Sequence, residues 1–146
     1  MAKFVTRIAT PRTPDEAFDY MADLRNFEQW DPGVRAVRQI VGEAAGIDHE
    51  FDVDVEVPTG VLTLRYVTDE FDRPHSATVV ASSSVFTSRD VITVEPDGDG
   101  SVVTYDAELT LNGPLGLFDL VLRPVFGRIG GRANRGLIAA LDGTQR

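Results

Sequence analysis

The stretch from Pro114 to Leu141 constrains this chain more than any other. Phe118, Leu122, Val125, Phe126, Ile129, Ala133, Leu137, Ala140 and Leu141 recur at steps of three and four, the spacing of a helix with one broad apolar face. Such a face has to be covered. The residues before it read mostly as strands, so the pattern predicts a sheet wrapped around a long C-terminal helix. Gly113-Pro114 offers a proline at the first helical position, and Gly143 stands just past the last periodic residue, where a left-handed cap is wanted. Pro124 lacks an N–H and crowds the carbonyl four residues back, which predicts a kink, or a short helix followed by a longer one.

Residues 3–10 read as a first strand, closed by Thr10-Pro11. Thr13-Pro14-Asp15-Glu16 is a capping box with Thr13 as N-cap, Pro14 at the first helical position and Glu16 reaching back. Ala17, Phe18, Met21 and Leu24 supply the buried face of the helix it starts. Asp23 caps a second short helix through Phe27 to Trp30, and Asp31-Pro32-Gly33 turns the chain. From Val34 to Leu111 strands are expected at 35–41, 47–57, 61–70, 75–82, 84–95 and 101–111. The alternation of Phe51, Val53, Val55 and Val57 with Asp52, Asp54 and Glu56 gives one apolar and one solvated face. Hairpin-length turns join these strands. The expectation is one α+β domain over residues 1–146, a seven-stranded antiparallel meander with two short helices between strands 1 and 2.

A net charge of −9 makes nucleic acid an unlikely partner, because affinity for phosphate backbones rests on basic side chains. Residues 114–146 depart from that balance, with Arg123, Arg128, Arg132, Arg135 and Arg146 against Asp119 and Asp142. Arg128, Arg132 and Arg135 lie on one side at helical spacing, as a solvated face against the acidic sheet or as an anion or partner site. No segment is apolar enough over a bilayer's width to span it, Pro11 ends the N-terminal apolar pattern early, and cysteine is absent. The chain therefore reads as a soluble, cytoplasmic protein without integral membrane contact, monomer or dimer.

The order of these elements resembles the START-like (SRPBCC) superfamily and its polyketide cyclase/dehydrase branch. The residues that carry the likeness are Thr13-Pro14-Asp15-Glu16-Ala17-Phe18-Asp19-Tyr20, Asn26-Phe27-Glu28-Gln29-Trp30-Asp31-Pro32-Gly33-Val34, the run from Tyr66 to Pro74, and Ser101-Val102-Val103-Thr104-Tyr105. The resemblance implies a helix-grip fold whose curved sheet closes around the last helix and leaves an elongated apolar cavity. It further implies binding or transport of lipids, sterols, quinones or hormones, or cyclisation and dehydration of polyketides. Fold does not choose among these.

Strand parity nominates the cavity lining. The candidate ligand-binding residues are Phe51, Tyr66, Phe86, Asp90 and Tyr105 from the strands and Phe118, Leu122 and Phe126 from the helix. Tyr66 and Tyr105 carry hydroxyls that need partners when buried, either a ligand carbonyl or neighbouring backbone. Asp90 shares parity with Phe86, Ile92 and Val94, and faces inward unless a bulge intervenes; there, desolvation raises its pKa toward acid or base duty. Arg65 and Arg89 have the opposite parity and belong on the outer face. His49 and His75 lie in no ligand-spaced cluster, so no metal is expected. Gly127-Arg128-Ile129-Gly130-Gly131 lacks the spacing of a nucleotide loop, and no cofactor is implied. The leading reading is a binder or carrier of a hydrophobic small molecule, whether lipid, polyketide-like or isoprenoid. A cyclase or dehydratase using Tyr66, Tyr105 or Asp90, and a regulatory interaction module, remain as rivals.

Overall fold

The computed structural model describes residues 2–57, 60–83, 86–111 and 119–146. Strand β1 (Ala2–Thr10) leads through α1 (Pro14–Ala22), a 3-10 turn (Leu24–Asn26) and α2 (Phe27–Trp30) into β2 (Val34–Val41) and β3 (Glu50–Val57). Then follow β4 (Gly60–Asp72), β5 (Ser76–Ser82), β6 (Phe86–Asp97), β7 (Gly100–Leu111), the long helix α3 (Asp119–Ala140) and β8 (Thr144–Gln145). The strands form one sheet in the order β2-β3-β4-β5-β6-β7-β1-β8, with every neighbouring pair antiparallel. The architecture is the helix-grip α+β fold.

Among the described residues the sheet has eight strands rather than seven. Strand β8 is two residues long and pairs Ile8 with Gln145 and Ala9 with Thr144. Two residues carry no periodicity, so only the tertiary contact reveals it. Strand β3 begins at Glu50 rather than near residue 47, because Asp48 takes a left-handed φ of 61° and the chain there exchanges backbone bonds with Thr68.

Local signals explain the helix starts. Thr13 accepts the Glu16 N–H at 3.3 Å and donates its hydroxyl to Glu16 Oε1 at 2.9 Å. The glutamate thus meets the capping hydroxyl instead of the cap's backbone N–H. Asp23 caps the 3-10 turn by accepting from Arg25 N–H at 3.1 Å. Helix α3 runs through Pro124 as one helix between Asp119 and Ala140, so of the two expectations, a kink or a division into two helices, the division does not occur within this span. Pro114 and Phe118 lie outside the described residues.

Gly143 is not the left-handed cap of α3. Asp142 takes that conformation, with φ 50°, and the bonds Asp142 N–H to Ala139 C=O and Gly143 N–H to Ile138 C=O close a Schellman motif. Gly143 has a different reason to be glycine. A Cβ there would stand 2.4 Å from Ile8 Cγ2 and 2.7 Å from Ala9 C=O, so the bare backbone lets the chain turn tightly onto β1.

The core lies between the sheet and the helices. Phe18, Met21 and Leu24 are fully buried, as are Leu137 and Leu141 at the end of α3. Burial of each such side chain is worth about 1.5–3 kcal/mol. Phe18 meets Phe71 edge-on at 5.4 Å, tying α1 to β4. Helix α3 rests on β1 and on α2. At the second contact a Cβ on Gly136 would come within 1.9 Å of the Trp30 C=O, so glycine sets the distance between these helices.

Candidate functional site

Between the inner face of the sheet and helices α2 and α3 lies a cavity of about 700 Å³. Pockets of roughly 300–1,000 Å³ hold drug-sized molecules. Val53, Val55, Leu62, Leu64, Phe86, Ala107, Leu109 and Leu111 give the sheet wall, Phe4 adds a ring from β1, and Gly130 and Ala133 close it from α3. Strand register makes this wall. Strand β6 pairs with β5 and β7 without a bulge, so Phe86, Ser88, Asp90, Ile92 and Val94 all face one way. On β4, Leu62, Leu64 and Tyr66 share the inner face in the same manner, opposite Val55, Val53 and Phe51.

Apart from Glu56 and Arg132, the polar groups on the wall gather in one cluster: Asp31, Tyr66, Ser88, Asp90 and Tyr105. Asp90 is 4% exposed. Tyr105 donates its hydroxyl to Asp90 Oδ2 at 2.5 Å, and the hydroxyls of Tyr66 and Ser88 meet at 2.9 Å. Both tyrosines therefore find side-chain partners, not backbone ones. Tyr105 is held edge-on by Trp30, with ring centres 5.4 Å apart, and by Phe27 at 6.3 Å. Asp31, part-buried after α2, accepts the Gly33 N–H at 2.9 Å, which fixes its carboxylate where the chain turns.

Burial dominates the electrostatics. Desolvation pushes the Asp90 carboxyl up to about 7 and the negative charge of Asp31 adds to the shift, while the hydroxyls of Tyr105 and Ser88 favour the ionised form. Asp31 is also raised by burial, against the opposing bond from Gly33. Burial and then the Asp90 charge push both tyrosines above the ordinary phenol value, so they act as neutral donors. The cluster thus holds neutral, mutually bonded hydroxyls beside a carboxyl that exchanges its proton near neutrality. Such groups can orient a ligand's polar end or move a proton to it.

Tyr66, Phe86, Asp90 and Tyr105 stand on the cavity wall. Phe51 does not: it is sealed in the core, while Val53 and Val55, further toward the β3–β4 hairpin, reach the space. Phe118 and the side chains of Leu122 and Phe126 lie outside the described residues. Arg65 pairs with Asp52 and with Glu50, and Arg89 with Glu70, all on the outer face. Trp30 packs against Phe27 and Tyr105 rather than on the cavity wall.

Sequence reasoning missed Asp31, Ser88 and Phe4 as cavity residues. Ser88 had an available signal, since it lies two positions from both Phe86 and Asp90 on an unbulged strand. Among the described residues no group of three or more His, Asp or Glu comes together to hold a metal, and no helix is long and apolar enough to cross a membrane.

Residues 1–142 match the family model described as polyketide cyclase / dehydrase and lipid transport. The fold is similar to that of a START superfamily protein from Mycobacterium smegmatis, at TM-score 0.77 and 10% identity over 97% of this chain and 98% of that one. It is also similar to ginseng major latex-like protein 151 from Panax ginseng, at TM-score 0.64 and 12% identity over 96% and 97% of the two chains. The di-domain ARO/CYC StfQ of the steffimycin biosynthetic pathway aligns at TM-score 0.69 and 17% identity, over 97% of this chain and 50% of that one. No curated protein matches the chain by sequence.

Proposed function

The chain belongs to the polyketide cyclase / dehydrase and lipid transport family, and from that premise we propose that it binds a hydrophobic small molecule with one polar end. The observation that carries this reading is the cavity itself: about 700 Å³, apolar along most of its walls, with three hydroxyls and two carboxyls gathered in one cluster. The apolar body of a lipid, polyketide-like or isoprenoid compound covers Val53, Leu64, Ala107 and Leu109. Its polar end meets Tyr66, Ser88, Asp90 and Tyr105. The test is native mass spectrometry of protein purified from its own host, then organic extraction. A stoichiometric apolar adduct supports the reading. A bare protein whose melting temperature no apolar ligand raises would sink it.

A second reading rests on Asp90. A carboxyl raised to about 7 and bonded to a neutral phenol is equipped to take a proton from a carbon beside a carbonyl and return one to oxygen, as a cyclase or dehydratase requires. Replacing both tyrosines by phenylalanine separates the two readings. A carrier keeps most of its affinity for the extracted compound, whereas an enzyme binds that compound and loses turnover.

A further inference from the structure

We infer that the cavity selects an amphipathic amine, with its apolar body along the walls and its protonated nitrogen at the cluster formed by Asp90, Asp31, Tyr66, Ser88 and Tyr105. The inference rests on the cavity-binding reading and adds to it the charge of the head group.

Among the described residues the polar end of the cavity holds two carboxyls and three hydroxyls, and no basic group. Its chemistry is therefore one of acceptors. A carboxylate offers about four lone-pair sites and each hydroxyl two, against one donor per hydroxyl. Tyr105 spends its donor on Asp90 and Gly33 spends its N–H on Asp31. An ammonium group has three donors and no acceptor, and complements such a set.

Charge leads to the same head group. The groups that face Asp90 are Tyr105 from β7, Ser88 on its own strand, Tyr66 from β4 and Asp31 from the turn after α2, while Asp106 of β7 lies on the outer face, paired with Lys3. Among the described residues the charges that shift Asp90 most, Asp31 and then Asp106, are both negative. On the cavity wall Glu56 is engaged by Arg35 on β2. Arg132 of α3 is the cation among the described wall residues, but it is exposed to solvent, and the main causes of the Asp90 shift lie elsewhere. An ionised, buried carboxylate without a cation is costly, and Asp90 relieves that cost by taking up a proton. An ammonium ion relieves it as well. Binding of an amine thus replaces and expels the proton, binding of a neutral head does not require it, and a carboxylate or phosphate head meets like charge.

The test is isothermal titration of the full chain with decylamine, decanol and decanoate at pH 6 and pH 8. Decylamine keeps its proton throughout, since alkylammonium groups titrate near 10.4. Decylamine is expected to bind tightest, with affinity rising about tenfold from pH 6 to pH 8 as proton release becomes unnecessary. Its heat should vary with the ionisation enthalpy of the buffer. Decanol should bind with little pH dependence and decanoate most weakly. Asp90→Asn should lose the pH dependence and about tenfold or more of the decylamine affinity, with Asp31→Asn as a second, milder variant and melting curves reporting that each is folded. If a variant fails to fold, the two-pH comparison on the unaltered chain still decides. Decylamine binding no tighter than decanol, or flat between the two pH values, overturns the amine assignment and leaves the cavity reading standing. Failure of all three compounds to bind overturns both.

Discussion

Tyr105 and Asp90 sit on adjacent strands with their side chains crossing the β6–β7 ladder diagonally, phenol oxygen to carboxylate oxygen at 2.5 Å. Neither is more than 8% exposed, so each takes this bond from the other rather than from bulk water. Tyr105→Phe removes the donor and leaves the carboxylate short of a hydrogen bond. We expect a loss of about 1–3 kcal/mol at pH 8, where Asp90 is ionised, and a smaller loss at pH 5, where it is protonated. Denaturant unfolding at the two pH values measures the difference, and equal losses would show that the bond does not depend on the charge.

Asp90 also gives the fold a pH dependence of definite sign. Its folded value, about 7, lies above its ordinary value of 3.8, so the native state binds the extra proton between these limits. The stabilisation is fully present below pH 4 and is lost as pH rises through 7, on the order of 4 kcal/mol in total. Lowered carboxyls such as Asp19, Asp52 and Asp54 act in the opposite direction, but they are solvent-screened ion pairs and titrate below that window. Asp90→Asn should therefore flatten the stability profile between pH 5 and pH 8 and raise stability most at the alkaline end. A profile unchanged by the substitution would mean that another group carries the dependence.

At Gly136 two effects compete. Helix propensity favours alanine over glycine by about 1 kcal/mol. The added Cβ, however, would lie 1.9 Å from the Trp30 C=O, a backbone atom that cannot swing aside. We expect the clash to win, with Gly136→Ala destabilising by about 2 kcal/mol or more and α2 pushed off α3. Gly131, where an added Cβ meets nothing within 4 Å, is the control and should show only the propensity gain. Thermal melts of both variants test this, and a stabilised Gly136→Ala would contradict the close approach.

Ala107 lines the cavity opposite Asp90 on the neighbouring strand. Ala107→Leu puts its added volume into empty space rather than into packed atoms, so stability should change by less than about 1 kcal/mol. Affinity for decanol should fall by about tenfold, near 1.4 kcal/mol. Titration beside a melting curve separates the outcomes: a large loss of stability with unchanged affinity would place Ala107 in the packed core.

Much of the fold was legible because its signals are local. Thr13, Pro14 and Asp23 announce helix starts through groups only a few residues away, and the alternation around Val53 needs only the two-residue period of a strand. Asp90 could be placed inward by parity because no bulge intervenes in β6. Legibility ended where one residue serves two purposes. Asp31 is fully explained as the acceptor for Gly33 in a turn, so nothing local indicates that the same carboxylate lines a cavity. Gly143 reads as a helix cap by position, yet its reason is the nearness of Ile8, a strand laid down at the opposite end of the sequence. Phe51 shares the parity of Val53 and Val55, and its depth along the strand, which parity does not encode, keeps it out of the cavity.

Strand β1 lies between β7 and β8, with Ala2 across from Leu109 and Ile8 across from Gln145. Thr6 in its middle donates to Asn134 of α3 at 2.6 Å. The first strand can thus be seated only after most of the chain has formed, a high-contact-order step of the kind that slows folding. Phe4 on that strand is also a wall of the cavity. Because Ala133 of α3 lines the same space, the cavity is complete only once the two ends of the sequence have met across it.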